Sequence, residues 1–154
     1  LSCDAPFIYV TGGNSGLLEQ TERLSLATGS WEALPPMQLP RRACAAASTR
    51  GKFYVMGGNV DVLDPNENED QESRLECFNP ATNGWELLPP AIRPFTHAAA
   101  GALGGDVYVF GGLSLGGVLD QSQRFSPRRR CWESLPPMPT PRFECAVASH
   151  WGES

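Results

Sequence analysis

Three copies of one pattern run along this 154-residue chain. In each copy an apolar, β-rich run stops at a pair of glycines, and a tryptophan followed by a leucine and two prolines comes later. The glycine pairs recur after 45 and then 54 residues. A repeat of this length indicates small structural units that pack against one another, because one such unit cannot bury its apolar face alone. The pairs lie at 12–13, 57–58 and 111–112, and the tryptophans are Trp31, Trp85 and Trp132.

Each copy is predicted to form four short antiparallel strands, which we call a to d in chain order. Strand a carries small residues, strand b is the apolar run, strand c alternates polar and apolar residues, and strand d carries the tryptophan. A strand that is apolar along its whole length is buried on both faces, and a glycine pair allows a sharp turn at positive φ. Strand a is predicted over 42–49, 96–103 and 143–149.

These landmarks together resemble the kelch repeat. The LPPM segments and the apolar runs ending in Gly-Gly are most similar to the kelch domains of BTB–kelch ubiquitin-ligase adaptors. The resemblance implies an all-β fold, a kelch-type β-propeller with blades of four antiparallel strands. It implies three blades' worth of strands, or half of a six-bladed ring. Within one kelch repeat domain over 1–154, we expect strands b to d of a first blade at 1–36, a second blade at 37–90, a third at 91–137, and strand a of a further or closing blade at 138–150.

Three blades are too few to close a ring, since propellers have typically 4–8. Three arrangements stay open on the sequence alone. Further blades lie in sequence outside these residues, or the arc stays open and needs another partner. In the third arrangement two copies join head to tail into a six-bladed homodimer, and each segment 143–149 completes the first blade of the other copy.

The candidate binding residues follow from the same resemblance. In BTB–kelch proteins the loops that enter strand a and leave strand b form the binding face, often with an arginine at the start of strand a. Such arginines are expected to hold carboxylates of a peptide partner through paired hydrogen bonds; the alternative is that they cap loop carbonyls. The matching residues are Arg42, Arg93 and Arg142, with Asn14, Asn59 and Leu113 after the glycine pairs, and with Cys44, Phe95, His97 and Glu144 near the same rim.

The formal net charge of −5 is concentrated in one segment. Residues 61–72 hold six acidic side chains and no basic one, so the rest of the chain is nearly neutral. A nearly neutral body argues against a nucleic-acid partner. The segment lengthens the loop between strands b and c of the second blade, where it is a recognition loop, a flexible extension, or an internal mimic of an acidic ligand.

The sequence predicts no enzyme, no cofactor and no metal site. Its five cysteines are scattered and never spaced C-x-x-C, which predicts reduced thiols and a cytoplasmic location, with the nucleus as the alternative. No apolar run approaches 18 residues, so no membrane span is expected. Kelch-fold carbohydrate oxidases are a remote alternative, because the three tyrosines at 9, 54 and 108 occupy one repeat position and packing explains them.

The predicted function is recognition of a partner protein or substrate peptide, with acidic groups expected on that partner. The BTB–kelch resemblance implies a substrate receptor of a cullin-type ubiquitin-ligase adaptor. The alternative is a cytoskeletal or scaffold kelch protein that binds actin or a similar partner.

Overall fold

Each copy of the pattern forms its own antiparallel sheet in the computed structural model, which describes residues 6–13, 19–59 and 72–150. The prediction of an all-β fold is confirmed. The first sheet contains β1 (Phe7–Thr11), β2 (Thr21–Ser25) and β3 (Ser30–Ala33), in that order. The second contains β4 (Ala45–Thr49), β5 (Lys52–Met56), β6 (Leu75–Asn79) and β7 (Gly84–Leu88), in that order. The third sheet contains β8 (Ala99–Leu103), β9 (Asp106–Phe110), β12 (Ser122–Ser126) and β13 (Cys131–Leu135), in that order. Between β9 and β12 the chain forms a separate hairpin of β10 (Leu113–Ser114) and β11 (Gly117–Val118).

The strands of small residues begin later than predicted. The ladders of β4 and β8 start at Ala45 and Ala99, three residues after the predicted starts. The reason is a left-handed residue just before each ladder, Ala43 at φ 52° and His97 at φ 54°. A residue at positive φ turns the backbone out of the extended path, so the ladder can begin only after it.

Predicted as strand a of a further or closing blade, the segment 143–149 forms no ladder with the described strands. The segment is preceded by the same left-handed residue, Glu144 at φ 51°, and its Val147 packs against Gly101 of β8. A β-ladder needs a neighbouring strand with unpaired backbone groups along its edge, whereas Val147 contacts Gly101 on the side-chain face of β8. Among the described residues, no strand of a fourth sheet lies beside 143–149.

Aromatic side chains join each sheet to the one before it. Tyr9 of the first sheet stacks on Phe53 of the second, with ring centroids 4.9 Å apart. The indole of Trp85 lies against the Phe78 ring and donates its Nε1–H to the carbonyl oxygen of Pro35 at 2.8 Å. Trp132 repeats this bond on the next connection. Trp85 and Trp132 therefore hold the second and third sheets to the proline pairs that precede them.

Replacing Trp85 with Phe tests this link. We expect the variant to lose about 1 kcal/mol of unfolding free energy, the net contribution of one hydrogen bond, here partly buried, and a further amount for the smaller buried ring area. Trp31 is the matched control, since 54% of it is exposed. Denaturant titration of Trp85→Phe and Trp31→Phe measures the difference, and equal losses would contradict the assignment.

A fully buried ion pair anchors the second sheet. The guanidinium of Arg41 donates from Nη2 to Oε1 of Glu76 at 3.1 Å and from Nη1 to the carbonyl oxygen of Gly57 at 2.6 Å. Both side chains are fully buried. The other carboxylate oxygen of Glu76 accepts the backbone N–H of Gln38 at 2.8 Å. Burial lowers the pKa of Arg41 below its ordinary value, and the charge of Glu76 opposes that effect.

The third sheet replaces this ion pair with neutral residues at the equivalent positions. Gln123 takes the place of Glu76, since each lies opposite a valine of the neighbouring strand. Phe95 takes the place of Arg41, and it is completely buried. The Gln123 amide oxygen accepts the N–H of Ile92 at 2.9 Å, as Glu76 accepts that of Gln38. The equivalent backbone N–H groups therefore donate to the carboxylate of an ion pair in the second sheet and to a neutral amide oxygen in the third.

Candidate functional site

One end of the sheets carries the glycine pairs and the connections that enter the strands of small residues. We call this end the rim. The described residues predicted for the binding face belong to the segments of this end, and they are Arg42, Cys44, Asn59, Arg93, Phe95, His97, Leu113, Arg142 and Glu144. Asn14 and most of the acidic segment 61–72 lie outside the described residues.

A chain of backbone hydrogen bonds connects the sheets along the rim. The three left-handed residues Ala43, His97 and Glu144 occupy equivalent positions. The N–H of His97 donates to the carbonyl oxygen of Ala43, and the N–H of Glu144 donates to that of His97, each at 2.8 Å. Because the main chain makes these bonds, the side chains of these positions are not needed to hold the rim together.

A second set of backbone contacts joins each connection to the residue after a glycine pair. Arg42 and Asn59 exchange two backbone hydrogen bonds, and Arg42 Nε also donates to Asn59 Oδ1 at 3.3 Å. Thr96 and Leu113 exchange the same two bonds in the third sheet. The residue after each glycine pair is thus held by its backbone beside the entry to the strand of small residues.

His97 forms the polar centre of the described rim. Its Nδ1 lies 3.0 Å from Thr96 Oγ1, and its Nε2 lies 3.8 Å from a carboxylate oxygen of Glu144. The side chain of His97 is 34% exposed and that of Glu144 is 66% exposed. Both side chains are therefore accessible to a partner.

The prediction that Arg42, Arg93 and Arg142 occupy one repeated position is wrong. The carbonyl oxygen of Phe95 accepts the N–H of Gly58, and that of Arg142 accepts the N–H of Gly112. Phe95 and Arg142 are therefore equivalent. Counted back from the left-handed residue of each connection, Arg41 is the equivalent of Phe95 and Arg142, and Arg42 lies one residue later. The equivalents of Arg42 are Thr96 and Phe143, and those of Arg93 are Leu39 and Thr140. Because the arginine lies at a different position in each connection, the three arginines do not form a ring of equivalent sites.

Phe95 and Cys44 lie beneath the rim and not on its surface. Phe95 is completely buried, because its ring fills the space that the missing side chain of Gly57 leaves. Cys44 packs against Gly58, and burial raises the pKa of its thiol. The prediction of Phe95 as a surface contact is therefore corrected: it is a core residue of the second and third sheets.

The sequence argument missed the apolar part of the rim. The hairpin of β10 and β11 carries Leu115, which is 85% exposed, and Val118, which is 44% exposed. Phe143 and Ile92 add exposed apolar area on two connections. The Gly116–Gly117 pair between two short apolar segments was the available signal for this hairpin.

The run of three arginines at 128–130 lies at the opposite end of the third sheet. Two of them form ion pairs, Arg129 with Glu133 and Arg130 with Glu86, the latter at 2.7 Å. Hydrogen bonds from Arg124 and Arg129 hold the pKa of Glu133 below its ordinary range. This turn is therefore part of a salt-linked outer surface, away from the rim.

Neither a metal centre nor a membrane span is found in the part of the chain that the structure describes. No three side chains of His, Cys, Asp or Glu come together there in an arrangement suited to a metal ion. The described residues also contain no helix long and apolar enough to cross a bilayer.

Comparison with known proteins identifies a family whose model matches this chain. A family model described as the Kelch motif matches twice, over residues 40–91 and 94–139. "Kelch repeat and BTB domain-containing protein 12" of Danio rerio is 29% identical over 87% of this chain and 24% of its own length. "Kelch-like protein 25" of Xenopus tropicalis is 24% identical over 92% of this chain and 25% of its own length. The chain thus spans about a quarter of the length of these two relatives.

A solved structure shares the fold. The chain described as "Structure of YjhT" superposes with a TM-score of 0.71, at 20% identity, over 86% of this chain and 49% of that one. At this identity the likeness concerns the fold alone, and it agrees with the propeller-blade interpretation of the three sheets.

Proposed function

Since this chain belongs to the Kelch motif family, we propose that it is a protein-recognition module whose rim binds an extended peptide of a partner protein. The chain is also similar to relatives with otherwise different names, among them "F-box protein AFR" of Arabidopsis thaliana, which is 27% identical over 96% of this chain. Similarity to proteins with such different names favours partner binding over one shared reaction, because the same fold hosts many functions.

One observation carries this proposal. Positions with the same backbone geometry on the rim carry chemically unrelated side chains, whereas the glycine pairs, prolines and tryptophans beneath them recur. At one left-handed position the three connections carry Ala43, His97 and Glu144. Main-chain bonds hold these positions, so the variation costs the fold little and serves a surface that recognises a specific partner.

The mixed chemistry of the rim indicates the kind of peptide that would fit. Arg93 and Arg142 are exposed cations, and Arg42, on another of the connections, is half-buried. Exposed Leu115 and Phe143 lie on the same end of the sheets. A peptide that combines carboxylates with apolar side chains matches both groups, since arginine pairs with carboxylates in forked hydrogen bonds and exposed apolar side chains gain by burial. The carboxylate of Glu144 favours a partner that is not acidic throughout.

The more specific role that we propose is a substrate receptor within a ubiquitin-ligase adaptor. The support is the similarity to a protein that carries a BTB domain together with kelch repeats. In this role the BTB part recruits the ligase and the kelch part binds the substrate. A cytoplasmic site of action suits the described cysteines, which are free thiols with Cys77 buried. Binding, not catalysis, is the activity that we propose for these residues.

Selection from a displayed peptide library tests the rim. We expect the chain to enrich peptides that combine acidic and apolar residues, and Arg93→Ala together with Leu115→Ser to weaken binding of a selected peptide at least about tenfold. Arg128→Ala, at the opposite end of the sheets, is the matched control. Unchanged affinity of the rim variant, measured by fluorescence polarisation, would refute the site.

A further inference from the structure

An open cavity of about 190 Å³ lies between the second and third sheets, at the end opposite to the rim. Its lining comes from strands and turns of these two sheets, and each of them has all four of its strands in the described residues. A water molecule takes about 30 Å³ in the liquid, so the cavity has room for a small polar ligand. The cavity is therefore a feature of one joint between two complete sheets.

The cavity lies where the second sheet lacks an arginine that the other two sheets have. In every sheet the middle residue of strand c lies opposite a tyrosine of strand b and a glutamate of strand d. In the first and third sheets this residue is an arginine that pairs with the glutamate, whereas in the second sheet it is Cys77, which lines the cavity. The three sets are Tyr9 with Arg23 and Glu32, Tyr54 with Cys77 and Glu86, and Tyr108 with Arg124 and Glu133. Because a cysteine is much smaller than an arginine, the second sheet leaves space at this position.

The charge of Glu86 is balanced from the neighbouring sheet instead. Arg130 donates from Nη2 to Oε1 of Glu86 at 2.7 Å, and the two side chains belong to different sheets. One guanidinium balances one carboxylate, and the lining contains no second acidic residue. The remaining basic residues of the lining are Arg50, Lys52 and Arg128. The side chains around the cavity therefore carry a net charge of +3.

These three basic side chains can reach a ligand without giving up another partner. Arg50 donates from Nε to the carbonyl oxygen of Gly105 at 3.2 Å, which holds it against the third sheet. Its two Nη groups take no part in this bond and are free to donate to a ligand. Lys52 and Arg128 form no ion pair within the described part of the chain.

The basic turn of this cavity is not a requirement of the repeat. The turn between strands c and d contains a left-handed residue in each sheet, Asn83 in the second and Arg130 in the third. Two residues earlier lie Ala81 in the second sheet and Arg128 in the third, so the equivalent turn of the second sheet is uncharged. A charge that the fold required would recur with the repeat. The basic turn instead faces the one sheet whose strand c has lost its arginine.

We propose that this cavity binds a phosphate group, carried by a small molecule or by a phosphorylated side chain. A phosphate monoester has a charge of about −1.5 to −2 at pH 7 and three strong acceptor oxygens. Arginine binds such oxygens through parallel N–H donors, and lysine binds them as a point charge. The net charge of +3 suits a dianion better than the single charge of a carboxylate. Leu88, Phe125 and Pro127 add an apolar part of the lining for the carbon atoms of an ester.

Calorimetric titration with inorganic phosphate and with O-phosphoserine tests the site. We expect one molecule to bind per chain, and we expect acetate, a monoanion, to bind more weakly than either probe. Tighter binding of phosphoserine than of inorganic phosphate would identify an ester as the ligand, and equal or weaker binding would identify free phosphate. If neither phosphate probe binds at millimolar concentration, the proposal is wrong.

Single substitutions in the lining locate the bound phosphate. Lys52→Ala and Arg128→Ala are each expected to weaken phosphate binding at least about tenfold, because each removes a charged hydrogen-bond donor. Arg129→Ala is the matched control, since Arg129 lies in the same turn but pairs with Glu133 and is not part of the lining. An equal loss of affinity in Arg129→Ala would show that phosphate responds to overall charge and not to this cavity.

Cys77→Arg restores the side chain that the other two sheets carry at this position. We expect its guanidinium to occupy the cavity, to pair with Glu86 and to abolish phosphate binding, with circular dichroism reporting whether the variant is folded. A folded Cys77→Arg chain that binds phosphate as well as the unchanged chain would contradict the site. A peptide without phosphate that binds the rim should bind Arg128→Ala with unchanged affinity, so the rim and the cavity are tested independently.

Discussion

Glu76→Ala is expected to lower the free energy of unfolding by about 3–5 kcal/mol, because it leaves the buried guanidinium of Arg41 without its counter-charge. Arginine stays protonated in proteins, so it cannot escape this cost by losing its proton. The N–H of Gln38 loses its acceptor in the same variant. Denaturant titration at one fixed protein concentration measures the loss, since any self-association makes stability concentration-dependent.

The chain contains its own control for this prediction. The third sheet holds Phe95 and Gln123 where the second holds Arg41 and Glu76. The double variant Arg41→Phe with Glu76→Gln copies that neutral arrangement, in which the amide oxygen accepts the backbone N–H. We expect it to regain most of the stability lost by Glu76→Ala. A double variant as unstable as the single one would show that packing, and not the unpaired charge, causes the loss.

Gly57→Ala is expected to cost about 2–5 kcal/mol of unfolding free energy. Its φ of +66° disfavours a side chain by about 1–2 kcal/mol. An added Cβ would also lie 2.4 Å from the ring of Phe95 and 2.6 Å from its carbonyl oxygen. A backbone oxygen cannot move aside without breaking its hydrogen bond to Gly58, so overpacking adds about 1–3 kcal/mol.

Gly29→Ala separates the two contributions to that cost. Gly29 has a similar φ of +71°, but nothing lies within 4 Å of an added Cβ. We expect this variant to lose only the conformational part, about 1–2 kcal/mol. Thermal or denaturant unfolding of both variants gives the comparison. If Gly29→Ala and Gly57→Ala are equally destabilised, the close approach of Phe95 does not explain the glycine.

The backbone positions that local sterics control were predictable from the sequence. Glycine pairs at positive φ, a tryptophan per sheet and strands of small residues are each required by the conformation or packing of a single position, so they recur with the repeat. They predicted three sheets, their strand order and the all-β fold. The positions of Arg93 and Leu113 at the glycine end of the sheets followed from the same pattern.

The register of the connections was decided only by the tertiary structure. The segments that enter the strands of small residues each contain one proline at an equivalent place but different residues around it, so alignment by arginine shifted Arg93 by several positions. Hydrogen bonds between neighbouring sheets set the true register, and they placed Phe95 in the core. Such bonds join residues far apart in the chain, and no local pattern records them.

The strand pairing of β1 and of the segment 143–149 also could not be predicted from a local pattern. The sequence by itself determined that 143–149 has the composition of a strand and that β1 carries apolar residues on both faces. Whether either edge is paired depends on a neighbour, because a β-ladder is a relation between two strands. Among the described residues neither 143–149 nor the second edge of β1 is paired, and only the tertiary structure shows this.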